Sequence, residues 1–367
     1  MHVPFCVSRC DYCAFATWSD RFEFLDTYLE MLHREINIRS EGMRFSSVFF
    51  GGGTPSILSI EQLASILSLV EIEAGAEVTL EANPESLHDD LGSYIEIGIN
   101  RVSLGVQSLR DNDLKLLGRD HKADQAKNAI SRLSGSKLDY SCDFIFGVNG
   151  GNPNFMVSDI AELIASVGGP SHLSVYGLTV EPGTPLALNK HLHPNDDQDA
   201  QTYLDLDRQL CESGFQTYEI SNACRNGQLS KHNWNYWMQG EYLGVGPGAH
   251  SHLDGVRSWN IRDSYRWGHA VDSGLGVIAG QEQLSEYDRI FEGLSLALRT
   301  VLGVPYGTLP LLELPDDLYT LTQDKRIVLS AKGRLLENQI AKRLLNENVT
   351  LDQLLAHQAI EPSLLLD

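Results

Sequence analysis

The sequence predicts an α/β fold: a partial barrel of six β/α units, followed by a small α-rich domain at the C-terminus. Six short β-rich runs alternate with segments of helical character, and strands that alternate with helices build a parallel sheet. A chain of 367 residues is also too long for one ordinary domain. The predicted strands are His2–Phe5, Ser47–Phe50, Glu77–Glu81, Arg101–Val106, Tyr140–Phe146 and His172–Leu178.

The segment Ser59–Val70 is typical of the helices expected between these strands. Ser59 and Gln62 have the spacing of a capping box, in which each side chain bonds to the other residue's backbone N–H. The apolar residues Leu63, Ile66, Leu67 and Val70 fall on one helical face. We therefore expect a helix that packs this face against the sheet.

Beyond the sixth strand the pattern changes. It predicts a helix at Asp196–Glu212, a short strand at Thr217–Ile220, and two C-terminal helices, one from about Ser285 and one near Lys332–Leu345. No residue of the C-terminal helices forms an obvious catalytic group. The expected units are a barrel core at 1–180, an α+β extension completing it at 181–284, and an α-rich domain at 285–367.

Five signals fall where the predicted strands end. In a curled parallel sheet, chemistry lies in the loops that leave the C-terminal ends of the strands. The convergence of glycines, cysteines and polar residues there predicts one site at this rim. The signals are the cysteine loop 6–13, the glycine run 51–55, the run 81–84, the run 105–108, and Asp143.

Three cysteines, Cys6, Cys10 and Cys13, share one loop with C-x3-C-x2-C spacing. Three soft thiolates suit a [4Fe-4S] cluster whose fourth iron is left for a ligand that is not protein. Zinc is the competing metal, but structural zinc sites close with four ligands and no partner pair appears elsewhere. A chance group of free thiols is the other alternative.

Composition excludes several partners. The formal net charge of −21 opposes nucleic-acid binding through a broad basic surface. No apolar run is long enough for a membrane span, and no basic segment followed by an apolar one marks a leader. We expect a cytoplasmic protein without stable membrane insertion. Its other cysteines, Cys142, Cys211 and Cys224, are widely scattered, which indicates buried free thiols rather than a disulfide framework.

Each rim residue has a chemical reason to be there and a structural alternative. Gly51–Gly53 allows close backbone approach to a ligand, as it also allows a tight turn. Glu81 ends an apolar run, where a carboxylate needs a cationic or hydrogen-bonding partner unless it is a cap or surface residue. Gln107 can bind hydroxyls as donor and acceptor, Arg119 can hold a carboxylate, and Asp143 can accept from a hydroxyl.

The cysteine motif resembles that of the radical S-adenosylmethionine (SAM) superfamily, in which the amino and carboxylate groups of SAM occupy the fourth iron. Further runs spread over much of the chain resemble the oxygen-independent coproporphyrinogen III oxidase group. They are GGGTPS at 51–56, EANP at 81–84, RVSLGVQS at 101–108, LGRDH at 117–121, EPGTP at 181–185, YEISN at 218–222, HNWNYW at 232–237 and GVGPGAHS at 244–251.

One position separates the branches of this group. The oxidases carry a further cysteine two positions after the third cluster ligand, whereas the HemW-type heme chaperones do not, and here the residue is Phe15. The last three of those runs also resemble the chaperone branch. The resemblance implies a heme chaperone that takes heme as cargo and hands it to an acceptor protein. The alternative is a coproporphyrinogen III oxidase that decarboxylates propionate side chains by a radical route, so the sequence leaves open whether this is an enzyme.

The resemblance also implies roles for single residues. Cys6, Cys10 and Cys13 would ligate the [4Fe-4S] cluster. The implied SAM contacts are Tyr12, Gly52, Gly53, Thr54, Glu81, Gln107, Arg119 and Asp143.

The region after the sixth strand is rich in aromatic residues, from Trp234 to Trp259. Aromatic surface suits a flat macrocycle such as heme, although core packing explains many aromatic clusters. His232 and His250 are candidate heme ligands, because neutral imidazole binds heme iron, or they are simply hydrogen-bonded histidines.

Two features depart from the family pattern. The family has several strand residues before the histidine of H-x-P-x-C, with an aromatic residue two places before it, whereas this chain begins Met1-His2. We expect either a misassigned start or a short first strand that holds the cysteine loop weakly. The loop after the fifth strand reads GVNGG at 147–151 in place of a Gly-Leu-Pro-like sequence, and without proline to fix φ we expect it to be mobile.

Overall fold

The alternating pattern builds one eight-stranded sheet. The computed structural model describes residues 1–148, 153–166, 169–309 and 314–344. The strands are β1 (His2–Val3), β2 (Arg44–Gly52), β3 (Glu71–Ala82), β4 (Arg101–Gln107), β5 (Asp139–Phe146), β6 (His172–Gly177), β7 (Gln216–Glu219) and β8 (Asn222–Cys224). Their order is β1-β2-β3-β4-β5-β6-β8-β7. The first six strands are parallel, as predicted, and β8 and β7 run antiparallel at the far edge.

Helices follow the strands. They are α1 (Leu25–Arg39), α2 (Ile60–Leu67), α3 (Gly92–Glu96), α4 (Asp111–Leu116), α5 (Ala123–Ser134), α6 (Pro153–Ser166), α7 (Pro185–Leu188) and α8 (Asp196–Glu212). The predicted capping box of α2 is formed, since the Gln62 N–H donates to Ser59 Oγ and the Ser59 N–H donates to Gln62 Oε1. No helix in the described part of the chain is both long and apolar enough to cross a membrane.

The remaining elements form two small sheets and their helices. They are α9 (Lys231–Trp237), β9 (His250–Leu253), β10 (Val256–Asn260), α10 (Ser264–Asp272), β11 (Ile278–Gln283), α11 (Glu286–Leu298), β12 (Val304–Pro305), β13 (Tyr319–Leu321), β14 (Arg326–Leu329), α12 (Ala331–Leu335) and α13 (Glu337–Leu344). The sheets have the orders β11-β10-β9 and β12-β14-β13. The helix predicted near Lys332–Leu345 is therefore two short helices, and Leu345 lies outside the described residues.

The apolar core has two main parts. The larger lies between the eight-stranded sheet and its helices, where Phe50, Leu80 and Phe144 are fully buried. A separate apolar cluster joins α11 to the last small sheet, with Leu298 and Ile327 at its centre. Burial of such side chains stabilises each part by about 1.5–3 kcal/mol per large residue.

Strand β1 is shorter than predicted but is bonded on both sides. Pro4 has no N–H to continue the ladder, and its carbonyl instead accepts from the Trp18 N–H. On the side away from β2, the His2 N–H donates to the Val245 carbonyl at 2.9 Å. A Cβ at Gly246, whose φ is +97°, would lie 2.5 Å from the His2 carbonyl oxygen, so this approach requires glycine. Of the loop expected to be mobile, residues 149–151 lie outside the described ranges.

A buried carboxylate ties the later elements to the barrel. Glu35 on α1 is 2% exposed. Its Oε2 accepts from the Gly246 N–H at 2.8 Å and from Trp267 Nε1 at 2.9 Å. Its Oε1 accepts from Arg39 Nη1 and from Asn260 Nδ2, each at 2.8 Å. One side chain thus joins α1, the loop before β9, β10 and α10.

We expect Glu35→Gln to destabilise the protein by about 2–4 kcal/mol, because it removes a buried charge from four donors and turns an amide N–H₂ toward some of them. The midpoint of urea unfolding measures this loss. Glu30→Gln is the matched control on the same helix, since its ion pair with Arg34 is exposed and should contribute less than about 1 kcal/mol. Equal stability of the two variants would contradict the role given to Glu35.

Candidate functional site

A cavity of about 570 Å³ opens at the C-terminal ends of the parallel strands and runs down inside the barrel. Inward-facing residues of several strands line it. On β4 these are Arg101, Ser103 and Gln107, and on β6 they are His172, Ser174 and Tyr176. Side chains alternate between the two faces of a strand, so the polar residues of these strands face inward and the apolar residues between them face the helices.

The three motif cysteines are free thiols on the wall of this cavity. Their loop is held by the Cys6 N–H, which donates to the Trp18 carbonyl, and by the Arg9 side chain, which donates to the Cys13 carbonyl. Thr54 Oγ1 donates to Cys6 Sγ at 3.6 Å, and Arg119 Nη1 donates to Cys10 Sγ at 3.3 Å.

The donor set fits an iron–sulfur cluster. Burial raises the pKa of Cys6 to about 11 and raises that of Cys13 as well, so these thiolates need the positive charge of a metal centre. Gly53 leaves room beside them, since a Cβ there would lie 3.0 Å from Cys6 Sγ. Within the described ranges no three His, Cys, Asp or Glu side chains are placed to hold a single metal ion.

The glycine run lies between β1 and Glu81. The Gly53 N–H donates to the Val3 carbonyl, and the Gly52 N–H donates to Glu81 Oε2 at 3.1 Å. Gly52 has φ of +114°, and a Cβ there would lie 2.1 Å from the His2 ring. Close packing on β1 therefore requires glycine at position 52, in addition to any role beside a ligand.

Two carboxylates project into the cavity. Burial, together with the nearby charge of Asp143, raises the pKa of Glu81 to about 7. Asp143 accepts from Ser103 Oγ at 2.7 Å, and burial raises its pKa. Asp143 Oδ1 has no hydrogen-bond partner among the described residues. Each carboxylate is thus available to a donor on a ligand.

Gln107 and Arg119 converge above Gly105. Gln107 ends β4 with φ of +63°, next to a register shift between β4 and β5. Arg119 Nη2 donates to Asn83 Oδ1 at 2.6 Å and to the Gly105 carbonyl at 3.2 Å. A Cβ at Gly105 would lie 2.9 Å from Gln107 Nε2 and 3.0 Å from Asn83 Oδ1. Glycine at position 105 makes this polar cluster possible.

The structure brings together all the residues implied as SAM contacts. Tyr12, Gly52, Gly53, Thr54, Glu81, Gln107, Arg119 and Asp143 line the same cavity as the three cysteines. The sequence analysis missed Asn83, which accepts from Arg119 and donates from Nδ2 to Thr54 Oγ1 at 3.2 Å. Asn83 lies within the run EANP at 81–84, and this run was the sequence signal that could have identified it.

The two candidate heme ligands share one cavity. His232 lines both the barrel cavity and a second cavity behind β1 and β2, and His250 lies on the wall of the second cavity only. Both ring nitrogens of His232 are hydrogen-bonded, Nδ1 to Ser47 Oγ at 2.8 Å and Nε2 to Tyr236 at 2.9 Å. Burial lowers the pKa of His232 to about 4, so the ring is neutral.

The aromatic residues from Trp234 to Trp259 fall into two groups, those buried in the core and those that face a cavity or the surface. Trp234 is buried against Tyr218 and Leu302, as expected for core packing. Tyr236 faces the cavity, and Trp259 is partly exposed beside His250. Only part of this cluster is therefore available to a ligand.

The partial barrel and its three-cysteine loop define this chain as a radical SAM protein. The family model described as "Radical SAM superfamily" matches residues 1–164. The structure is similar to coproporphyrinogen III oxidase (HemN) from Escherichia coli, with a TM-score of 0.78 and 23% identity over 93% of this chain and 88% of that one. Membership of this class implies a [4Fe-4S] cluster and SAM.

Comparison with individual relatives identifies the family within this superfamily. Heme chaperone HemW of Mycobacterium tuberculosis is 33% identical over 94% of each chain. Heme chaperone HemW of Synechocystis is 35% identical over 84% of this chain and 79% of the relative. This chain belongs to the HemW family.

We predict that Cys10→Ala abolishes binding of a four-iron cluster, since two thiolates cannot hold it. Iron and sulfide analysis after anaerobic reconstitution measures the loss. Cys211→Ala is the matched control, because Cys211 lies outside the motif and is exposed, unlike Cys142 and Cys224, which are buried as expected. This substitution should leave the iron content unchanged. A full complement of iron in Cys10→Ala would remove this residue from the site.

We also predict that SAM binds more weakly as pH falls through about 7, because the carboxyl of Glu81 then gains a proton and loses its strength as an acceptor. Above that pH the carboxylate is ionised and binding is at its tightest. Calorimetry on the reconstituted protein measures the affinity. Glu81→Gln should bind SAM about tenfold more weakly at pH 8 and lose this pH dependence. A pH profile identical to that of the unsubstituted protein would contradict the assignment.

Proposed function

We propose that this protein is a heme chaperone, which binds heme and passes it to an acceptor protein. Relatives that carry this name match most of the chain. The observation that carries the proposal is Phe15, which stands where the oxidases of the group have a further cysteine. Its side chain is 67% exposed and lines the cavity beside the cysteine loop. An aromatic ring there offers apolar surface to a macrocycle instead of a thiol.

In this proposal Cys6, Cys10 and Cys13 hold the cluster, which supplies one-electron chemistry when bound. Arg119 donates to Cys10 Sγ and so offsets part of the negative charge on the sulfur. Thr54 does the same for Cys6 at a longer distance.

SAM is proposed to lie at the rim, on the eight residues named above. Glu81 and the free oxygen of Asp143 accept hydrogen bonds from it, and the amide of Gln107 offers both a donor and an acceptor. Tyr12 belongs to the cysteine loop and packs against Leu117 and Leu186, which helps to position the loop beside the cavity.

Heme is proposed to meet the aromatic part of the cavity wall. Phe15, Phe49, Tyr176 and Tyr236 line it, and His232 stacks on Phe49 with ring centroids 5.0 Å apart. His232 could ligate the iron only by giving up its hydrogen bond to Ser47 or to Tyr236. His250 is exposed and is the second candidate ligand, on the wall of the second cavity, which His232 also lines.

The proposed division into units at 1–180, 181–284 and 285–367 is supported by the apolar clusters. The cluster around Leu298 and Ile327 is separate from the barrel core, and α11 begins directly after Ser285, which caps it. The last unit is thus proposed to be a lid or a docking module for the acceptor.

We predict that the reconstituted protein binds hemin stoichiometrically and does not convert coproporphyrinogen III with SAM and a reductant. Absorption spectroscopy measures hemin binding, and chromatography of porphyrins after oxidation measures conversion. SAM-dependent decarboxylation would instead support the oxidase.

Phe15→Ala should weaken hemin binding about tenfold, as expected from the loss of one aromatic contact. Tyr265→Ala is the matched control, since Tyr265 is an exposed aromatic residue on α10 outside the cavity. An equal effect of both substitutions would remove Phe15 from the heme site. Changes in the heme spectrum of His232→Ala and His250→Ala test the two candidate ligands separately.

A further inference from the structure

Arg101 is a buried cation with an unsatisfied guanidinium nitrogen. It opens β4 at the N-terminal end of the barrel strands and is 4% exposed. Nη2 has no hydrogen-bond partner in the described part of the chain. An isolated buried charge is costly, so this side chain is expected either to bind an anion or to be solvated by water inside the barrel.

The guanidinium belongs to the wall of the cavity. Arg101 lines it together with Ser103, Ser141 and His172, which form the floor, opposite the rim. Gln107 at the rim lies six residues further along β4, a separation of about 20 Å. The backbone of Arg101 therefore lies at the end of β4 opposite the rim, while its charge still acts on Asp143.

His172 supplies a second donor on the floor. It is 2% exposed and its Nδ1 has no partner among the described residues. Its Nε2 lies 2.8 Å from the Tyr218 hydroxyl. That hydroxyl can donate its proton to Nε2, and the tautomer that accepts it carries the imidazole proton on Nδ1, where it is a donor.

Neither carboxylate near this floor reaches hydrogen-bond distance of Arg101 Nη2. One oxygen of each is bonded, since Asp143 accepts from Ser103 Oγ and Glu219 accepts from Asn222 Nδ2, and the other oxygen of each has no partner among the described residues. Burial raises the pKa of Asp143, and the charge of Arg101 offsets part of that rise. Arg101 Nη2 and His172 Nδ1 are thus left without partners among the described residues at this end of the cavity.

We propose that Arg101 and His172 form a carboxylate-binding subsite, which holds a propionate side chain of heme. This inference rests on the proposed function, because heme is the cavity ligand that it assigns. A guanidinium binds a carboxylate through two parallel N–H groups, and the imidazole N–H adds a third donor. The subsite holds one edge of the macrocycle. The faces of the macrocycle then contact the aromatic wall, which consists of Phe15, Phe49, Tyr176 and Tyr236.

The test compares hemin with hemin dimethyl ester, in which both propionates are blocked. The reconstituted protein should bind hemin at least tenfold more tightly than the ester. Arg101→Met should weaken hemin binding at least tenfold and leave binding of the ester unchanged, whereas Arg101→Lys should retain part of the preference. Arg266→Met is the control, since Arg266 is exposed on α10.

Each other outcome is decisive. Equal affinity of the unsubstituted protein for hemin and the ester would overturn the subsite and leave the proposed function standing, and this comparison needs no variant. Absence of hemin binding in every protein would overturn both. Loss of SAM affinity in Arg101→Met with unchanged hemin binding would assign the carboxylate to SAM instead. A fall in the melting temperature of Arg101→Met without any ligand effect would show that Arg101 is structural and solvated by water.

Discussion

The polar interior of the barrel is the constraint on which the rest of the structure depends. Polar side chains at alternate positions of β3 to β6 face inward, so each must find a partner inside the protein or in a ligand. Ser103 satisfies one oxygen of Asp143, and the Gly52 N–H bonds to Glu81. Asp143 Oδ1 and Arg101 Nη2 have no partner among the described residues, so water or a ligand is needed to satisfy them.

Two more buried carboxylates attach the later part of the chain to this barrel. Glu35 joins α1 to the loop before β9 and to α10. Glu77 on β3 accepts from Ser230 Oγ and from the N–H groups of Lys231 and His232, which fixes the start of α9. Because α9 carries His232 and Tyr236, the position of the aromatic wall depends on this contact between β3 and a segment more than a hundred residues away in sequence.

Local signals predicted most of the fold. The bounds of α8 and the capping box of α2 were found because caps and apolar periodicity act over a few residues. The early starts of β2 and β3 were missed, since residues such as Arg44 and Glu71 look like loop. The residues of the cavity floor were missed for another reason. Arg101 and Ser103 alternate with apolar residues, as in any strand with one solvent-facing side. Only the curling of the sheet into a partial barrel turns that side inward. Likewise Glu35 resembles a surface residue of an amphipathic helix.

The cavity presents different chemical groups along its length. This difference is relevant to how one fold can serve both as a coproporphyrinogen III oxidase and as a heme chaperone. At the rim, thiols and carboxylates suit a cationic cofactor, whereas the floor offers the unpaired donors of Arg101 and His172. A ligand with an apolar body and a carboxylate at one edge matches the sequence of surfaces from Phe15 down to Arg101. The backbone of Arg101 lies about 20 Å along β4 from that of Gln107 at the rim, and the cysteine loop lies at the rim end of the cavity. A propionate bound by Arg101 is thus held from the opposite end of the strands, which suits a protein that carries heme without altering it.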